Sequence, residues 1–185
     1  MTRIPPVTRD ALPESQRDAY DRLIATANGA SPIGPGSIAA NSPELAVRRV
    51  AASNYLRFET TIPTPILELA IITTARCLDC AYVWNAHVGA ARKAGVVDPL
   101  IDALRDRQPL PSADDDETAV VRYATELFTT HQVSQQTFDD ATRRFGTQHL
   151  VELTALLGQY AQNVFFLNAF DVDLPGDRTE PLLPV

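Results

Sequence analysis

The segment that decides the fold is TQHLVELTALLGQYAQNVFFLNAF, which covers residues 147–170. Its apolar residues recur at spacings of three and four, which is the period of one face of an α-helix. They are Leu150, Leu153, Leu157, Tyr160, Val164 and Leu167. Residues 153–170 carry no charge, but the four amide side chains among them would be costly in lipid. The pattern therefore predicts a helix that is buried in a protein core and does not span a membrane.

The remaining segments are also patterned as helices, and turn residues separate them. Helices are predicted over residues 14–27, from Pro43 onward, over residues 66–77 and 80–94, and over residues 117–130 and 134–145. Serine or threonine followed by proline, at residues 42–43 and 64–65, favours a helix start. Residues 28–41 hold three glycines and two prolines and are predicted to form a loop. No alternating strand pattern of useful length occurs, so the fold class is predicted to be all-α.

The composition of the 185 residues is that of an ordinary soluble globular protein, with 45% apolar and 21% charged residues. The net charge of −7, without clusters of Lys and Arg, argues against binding to nucleic acid. The first residues, MTRIPP, lack the apolar core of a signal peptide, so we expect a cytoplasmic protein. We divide the chain into an arm, first helix and loop over residues 1–41, a helical domain over residues 42–172 and a tail over residues 173–185.

Glu68 is the only charged residue between Pro65 and Ala75, in the segment PILELAIITTA. A helix that is apolar nearly all round is normally buried, so this carboxyl is expected in a setting of low polarity. Buried carboxyls of this kind suit proton transfer. The alternative is an acid near the helix start that complements the helix dipole. Both interpretations fit the residues.

Cys80, Trp84 and His87 are predicted to share one face of a helix, with Val83 beside them. A thiol, an indole and an imidazole on one face could belong to a site, although a histidine beside an aromatic residue is more often simply hydrogen-bonded and partly buried. Cys77 and Cys80 have the spacing of a redox pair at a helix start. Two cysteines and one histidine without a second pair of ligands make a poor zinc site, so no metal is expected.

Several of these segments together resemble the carboxymuconolactone decarboxylase-like family, which shares its fold with the alkylhydroperoxidase D proteins. The resemblance rests on ELAIITTAR at residues 68–76, YVWNAH at residues 82–87 and ARKAGV at residues 91–96. GQY at residues 158–160 and LNAF at residues 167–170 are similar to the closing helix of the family. The resemblance covers about residues 40–172, and a glutamate followed nineteen residues later by a histidine is its most specific feature.

The resemblance implies an all-helical, alkylhydroperoxidase D-like fold that assembles as trimers or hexamers, with a site near subunit contacts where Glu68 and His87 transfer protons. In the thiol-active branch of the family, a Cys-x-x-Cys pair begins the helix, and its second cysteine lies four residues before the histidine. That position is Val83 here, and Cys80 matches the first cysteine. Cys80 lies seven residues from His87, about 10 Å along a helix axis, so histidine-assisted thiol chemistry is not expected.

The favoured function is that of an enzyme without metal or organic cofactor that decarboxylates or isomerises a small carboxylic acid or lactone. Glu68 and His87 would move the protons in this reaction. The residues expected around them are Tyr82, Val83 and Trp84, which would bind the substrate, and Cys80, which would line the pocket. An acidic ligand would also require a basic residue, for which Arg48 and Arg76 are the candidates.

Two alternatives to this function stay open. The first is a thiol-dependent peroxidase of the alkylhydroperoxidase type that uses Cys80 with Cys77. The second is an oligomer that binds a small molecule without turning it over. Thiol titration before and after peroxide treatment distinguishes the peroxidase from the acid–base enzyme.

The closing helix also indicates self-association. Phe165, Phe166 and Phe170 lie beyond its narrow apolar face, and one subunit of this size has few other helices to cover them. We therefore expect a homo-oligomer, a trimer or hexamer according to the resemblance. Neither nucleic acid nor a membrane is expected as a partner.

Overall fold

The structure of the protein is a computed structural model that describes residues 2–27, 29–111, 115–176, 178 and 180–184. Within these residues the chain forms helices and no β-strand, which confirms the predicted all-α class. The helices are α1 (Glu14–Thr26), α2 (Pro35–Ala39), α3 (Pro43–Asn54), α4 (Thr64–Cys77), α5 (Ala81–Lys93), α6 (Asp98–Arg105), α7 (Asp116–Thr130) and α8 (Gln135–Ala169). A short 3₁₀ turn (Arg9–Ala11) precedes α1, and a π-helical turn (Tyr55–Glu59) follows α3 directly.

Two short helices were not predicted from the sequence. α2 lies in the segment predicted as a loop, where Gly34 adopts a positive φ of 52° and Pro35 begins the helix. α6, which comes after α5 in the chain, has Pro99 in its first turn and buries Leu100, Ile101 and Leu104. Both are too short for a helical period to stand out in the sequence, and each is stabilised by the apolar residues it buries rather than by its length.

α4 lies at the centre of the core. Every residue from Ile66 to Arg76 is buried, because α5, α7 and α8 all pack against this helix. The apolar run of its sequence is therefore covered on all sides, as a helix apolar all round requires. Its few polar side chains must find their partners inside the protein.

α8 confirms the predicted apolar face, since all six of its predicted residues are buried. The predicted division between helices over residues 134–145 and 147–170 is confirmed, because Gly146 has a non-helical backbone conformation (φ 73°, ψ 165°) that separates α8 into two helical segments. Ser134 caps its start by accepting a hydrogen bond from the Thr137 backbone N–H, as predicted. No helix in the described residues is both long and apolar enough to cross a membrane.

The C-terminal tail packs back onto the helical domain. Leu183 is buried in the core, and Glu180 pairs with Arg92 of α5. The Pro184 carbonyl accepts a hydrogen bond of 2.7 Å from Arg76 Nη1. The tail therefore contributes tertiary contacts although it forms neither helix nor strand in its described residues. The predicted boundaries at residues 42 and 172 stay predictions.

Gly146 provides a test of the break in α8. Its backbone conformation is one that residues with a side chain rarely adopt, and an added Cβ would meet no atom within 4 Å. We expect Gly146→Ala to lower the free energy of unfolding by about 1–3 kcal/mol through backbone strain alone. Gly89→Ala, in the interior of α5 where a Cβ makes only an ordinary contact, should raise it by about 0.5–1 kcal/mol. Urea unfolding followed by circular dichroism measures both, and equal effects would contradict the assigned break.

Candidate active site

Glu68 is buried in the second turn of α4, with 4% of its surface exposed. The residue that caps α4 is Pro63, and the first turn of the helix contains no acid. Glu68 therefore lies beyond the turn where the helix dipole acts most strongly. Its burial requires another explanation, which its hydrogen-bonding partners supply.

The structure brings Glu68 and His87 together across the packed pair α4 and α5. Glu68 Oε2 lies 2.8 Å from His87 Nδ1, within hydrogen-bonding distance. Because the carboxylate accepts this bond, Nδ1 carries the proton and Nε2 is the ring nitrogen left to act on a ligand. The pair is a carboxylate–imidazole dyad of the kind that orients a histidine for acid–base chemistry.

Arg57 is a third member of the site that sequence reasoning missed. Its Nη2 lies 3.4 Å from Glu68 Oε1, and its Nη1 donates a hydrogen bond of 2.5 Å to the Tyr160 hydroxyl. The π-helical turn adds a residue to the helical cycle and so changes the direction of the side chains in it. The sequence gives no sign of this turn, which explains why the arginine was overlooked.

Tyr160 completes the polar cluster from α8. Its ring meets the His87 ring edge to face, with 5.1 Å between the ring centroids. Burial is the main cause that raises the pKa of Tyr160 to about 12, and the nearby Glu68 charge adds to this against the opposing effect of Arg57. The hydroxyl is therefore neutral at physiological pH and keeps a proton to donate.

A cavity of about 440 Å³ lies in front of this cluster, and His87, Arg57 and Tyr160 line it. Glu68 is not among its lining residues and reaches the cavity through His87. The other polar side chains on its wall include Arg49, Ser53, Tyr82, Asn85, Gln159 and Asn163. The buried Asn85 Oδ1 accepts no hydrogen bond from any of the described residues. The volume suits a small organic molecule.

Gly34 determines how the loop before α2 closes one side of the cavity. Its φ is positive, and a Cβ at this position would lie 2.8 Å from the Tyr82 hydroxyl. A larger residue would therefore clash with Tyr82 as well as strain the backbone. The loop predicted from the sequence, which contains Gly34, therefore forms part of the cavity wall.

Arg49 is the second basic residue of the cavity. Its Nε donates to Gln162 Oε1 at 2.7 Å and its Nη2 to Asn163 Oδ1 at 2.6 Å, and its guanidinium lies over the Phe166 ring. Burial lowers its pKa, since no carboxylate offsets the desolvation of the cation.

The predicted basic residues, Arg48 and Arg76, are not in this cavity. Arg48 is exposed and pairs with Glu44 one helical turn away. Arg76 is buried at the far end of α4 and lines a different cavity. Arg57 and Arg49 take the place expected for them.

Of the four neighbours expected around the dyad, two line the cavity and two do not. Tyr82 and Val83 are on its wall. Cys80 and Trp84 are each only 1% exposed and pack in the hydrophobic core, so the expectation that they contact a substrate is corrected. The packing of α5 on α4, which brings His87 to Glu68, turns these two side chains towards the core instead.

Neither cysteine has the setting of a reactive thiol. Cys77 and Cys80 are free, and burial raises the pKa of both thiols. Cys80 lies in the core and Cys77 lines the cavity at the far end of α4. The described residues also contain no group of three or more His, Cys, Asp and Glu side chains placed to hold a metal ion.

Glu152 of α8 fastens the turn that carries Arg57. It accepts hydrogen bonds from the Tyr55 hydroxyl at 2.7 Å and from the Thr60 hydroxyl at 2.5 Å, and these residues flank Arg57 on both sides. A third bond comes from Gln148. Together these bonds lower the pKa of Glu152 to about 2. One helix therefore presents Tyr160 to the site and holds the turn of Arg57 in place.

The model of the Carboxymuconolactone decarboxylase family matches residues 43–126, a segment that contains Arg49, Arg57, Glu68 and His87. This segment of the chain is therefore similar to the carboxymuconolactone decarboxylase family. Tyr160 and Glu152 of α8 lie outside the matched segment but contact residues of the site that lie within it. No curated protein sequence matches the chain significantly.

Solved structures share the all-helical, alkylhydroperoxidase D-like fold of this chain. A peroxidase-related AhpD-core protein from Ralstonia eutropha JMP134 is 15% identical, with a TM-score of 0.69, and the match covers 95% of this chain and 93% of that one. The debrominase Bmp8, as a cysteine-to-alanine variant in complex with 2,3,4-tribromopyrrole, is 18% identical, with a TM-score of 0.68 and the same coverage. An AhpD-like protein of unknown function from Agrobacterium tumefaciens is 18% identical, with a TM-score of 0.64, over 75% of this chain and 96% of that one.

The anchoring role of Glu152 is testable through pH. Because its pKa is lowered from 4.5 to about 2, its charged form stabilises the fold at neutral pH, and this contribution is lost as the pH falls from 4.5 towards 2. We expect Glu152→Gln to reduce the stability most at pH 7. The difference from the unsubstituted protein should shrink over that acid range. Urea unfolding at a series of pH values measures it, and a difference that does not change with pH would refute the role of the charge.

Proposed function

We propose that the protein is a cofactor-free acid–base enzyme that decarboxylates or isomerises a small carboxylic acid or lactone. The observation that carries the proposal is the dyad of Glu68 and His87, with 2.8 Å between Oε2 and Nδ1, behind a cavity that His87 itself lines. The family model supports the same class of protein. The cavity offers groups that move protons and groups that stabilise negative charge.

His87 would be the group that exchanges protons with the substrate. The ionised Glu68 fixes its tautomer and stabilises the imidazolium that forms when Nε2 takes up a proton. In an isomerisation, Nε2 takes a proton from one carbon and returns it to another. In a decarboxylation, Nε2 would first take up a proton from water. The bond to the carboxyl carbon then breaks, carbon dioxide leaves, the electron pair remains as an enolate, and the imidazolium delivers the proton from Nε2 to carbon and returns to its neutral form.

Arg57 and Tyr160 would stabilise the enolate oxygen that develops in either reaction. The guanidinium is a fixed cation at the cavity wall, and the neutral Tyr160 hydroxyl, which accepts a hydrogen bond from Arg57, would donate its own proton to the enolate oxygen. Arg49, also on the wall, would pair with the carboxylate of the substrate. Two arginines opposite the single carboxylate of Glu68 leave a net positive charge, which suits an acidic ligand.

The peroxidase alternative is less well supported. The wall position four residues before His87 is Val83, while Cys80 lies in the core and Cys77 at another cavity. Raised thiol pKa values leave little thiolate to attack a peroxide. The names of the AhpD-like structures and of Bmp8 belong to proteins that share the fold at under 20% identity. The third possibility, binding without turnover, predicts the same pocket and no reaction.

Proton transfer can be tested before the natural substrate is known. A panel of small lactone and keto acids, carboxymuconolactone included, is incubated with the protein in D₂O, and NMR follows deuterium uptake at carbon and loss of carbon dioxide. We expect exchange or decarboxylation with at least one compound. His87→Gln should lower the rate by about 100- to 10,000-fold, because it removes the acid–base group. Glu68→Gln should lower it by about 100-fold or more, because the imidazolium loses its charged partner.

Matched variants separate chemistry from folding and from thiol reactivity. Arg48→Lys, at an arginine that is 75% exposed, should leave the rate unchanged, whereas Arg57→Lys should lower it. Circular dichroism checks that each variant folds. Cys80→Ala should keep acid–base activity, and thiol titration should show no rapid loss of thiols with peroxide. Rapid peroxide consumption that disappears in Cys80→Ala would favour the peroxidase instead.

We also propose that the protein functions as a homo-oligomer, a trimer or hexamer as the family resemblance implies. The outer face of α8 supports this, because Val151 and Phe165 are 63% and 62% exposed and lie nearly in line along the helix, with Ala155 and Gly158 between them. Phe58, next to Arg57, is 74% exposed. Such apolar surface is typical of a contact between subunits.

Light scattering coupled to size exclusion should give three or six times the chain mass of 20.2 kDa. Phe165→Asp should dissociate the assembly, since it would bury a charge in the contact. Phe138→Asp, at a residue that is also exposed but lies in the N-terminal part of α8, should not. A monodisperse monomer at micromolar concentration would refute the proposal.

A further inference from the structure

A second cavity, of about 930 Å³, lies at the C-terminal end of α4. Glu68 lies near the N-terminal end of the same helix. α6, α7 and the start of α8 form the other walls. None of its lining residues also lines the cavity of His87 and Arg57. Leu104, Leu110 and Val121 supply apolar wall, and Arg76, Cys77 and Thr125 supply polar groups.

Arg76 is the unusual member of this wall, because it is a cation with only 5% of its surface exposed. Its Nη1 donates to the Pro184 carbonyl at 2.7 Å and lies 3.3 Å from Asp79 Oδ1. Its Nε is buried, and none of the described residues accepts a hydrogen bond from it. Buried N–H groups without an acceptor are rare in proteins, and a charged one is the most costly kind.

The charges around Arg76 do not offset it fully. Asp79 Oδ1 also accepts a shorter hydrogen bond, of 2.7 Å, from Arg107 Nη2. Arg107 lines the same cavity. One carboxylate is thus shared by two guanidinium groups. Burial and then the charge of Arg107 lower the pKa of Arg76, against the opposing charges of Asp79, Cys77 and Asp106. Arg122 and Glu126 also line the cavity, so its wall carries three arginines and one carboxylate. The site can accept a further negative charge.

We propose that this cavity is a binding site for an organic carboxylate with an apolar tail, separate from the acid–base site. The carboxylate would pair with the guanidinium of Arg76, because a guanidinium and a carboxylate match in shape and charge. The tail would lie along Leu104, Leu110 and Val121. Cys77, on the same wall and partly exposed, would be covered by the bound ligand.

The probes are hexanoate and the neutral hexanol, which differ in the carboxylate. Iodoacetamide alkylates Cys77, and fragment mass spectra distinguish this residue from the core residue Cys80. At a concentration ten times its Kd, measured by calorimetry, hexanoate should slow the alkylation of Cys77 by about tenfold. Hexanol at the same concentration should slow it little. Protection by both compounds alike, or by neither, would overturn the proposal.

Variants locate the binding. Arg76→Lys keeps the charge but removes the planar guanidinium, and it should weaken hexanoate binding at least fivefold by the calorimetric Kd, on the order of 1 kcal/mol. Because a substitution of this buried residue could disturb the fold, Ala103→Phe provides a second test by filling the cavity from a partly exposed wall position. Ala25→Phe, on the exposed side of α1, is its control. Wild-type affinity in a folded Ala103→Phe protein would refute the site.

Discussion

Burial of an ionised carboxylate inside an apolar helix is costly unless cations and hydrogen-bond donors replace the water it loses. Glu68 imposes this requirement on the centre of the fold, because α5, α7 and α8 cover α4 on all sides. His87 and Arg57 meet it, one at each carboxylate oxygen. Replacement of either partner would leave one carboxylate oxygen without its hydrogen bond in the core, so the positions of the elements that carry them relative to α4 matter for stability.

The position of Arg57 depends on a helical segment of unusual geometry. A π-helical turn is rarely stable by itself, and this one is fastened by the hydrogen bonds that Tyr55 and Thr60 donate to Glu152. Glu152 and Tyr160 lie eight residues apart on α8, about 12 Å along its axis. α8 therefore positions two parts of the polar cluster, although its sequence is mostly apolar: Tyr160 directly, and Arg57 through Glu152. Because this helix is stiff, it keeps Glu152 in a fixed position relative to the residues that would contact a substrate.

The fold was predictable from the sequence because helical periodicity reports burial directly. The six predicted apolar positions of α8 are all buried, and the isolated polar residues Glu68 and His87 could be recognised by contrast with their apolar neighbours. Arg57 could not, because its role depends on a local change of helical pitch and on contacts with α8, about a hundred residues away. Arg76 was misplaced for a related reason: the sequence gives its helix but not the end of the helix bundle that it faces. Cys80 and Trp84 were correctly assigned to the region of α5, but they were expected on its cavity side, whereas both pack in the core.

The position of Val83 bears on which chemistry this site can perform. In the thiol-active branch that the family resemblance describes, the residue four before the histidine is a cysteine, and the imidazole serves the thiol. Here an apolar side chain stands at that place on the cavity wall. The imidazole is already oriented through Nδ1 by Glu68, and no thiol lies on the wall to receive a proton from Nε2 or give one to it. The ring of Tyr160 instead meets the imidazole edge to face, and the Tyr160 hydroxyl accepts a hydrogen bond from the Arg57 guanidinium. Under the proposed function, His87 would exchange protons with a bound acid or lactone, Glu68 would orient it, and Arg57 and Tyr160 would stabilise the oxyanion. None of these roles would require either cysteine.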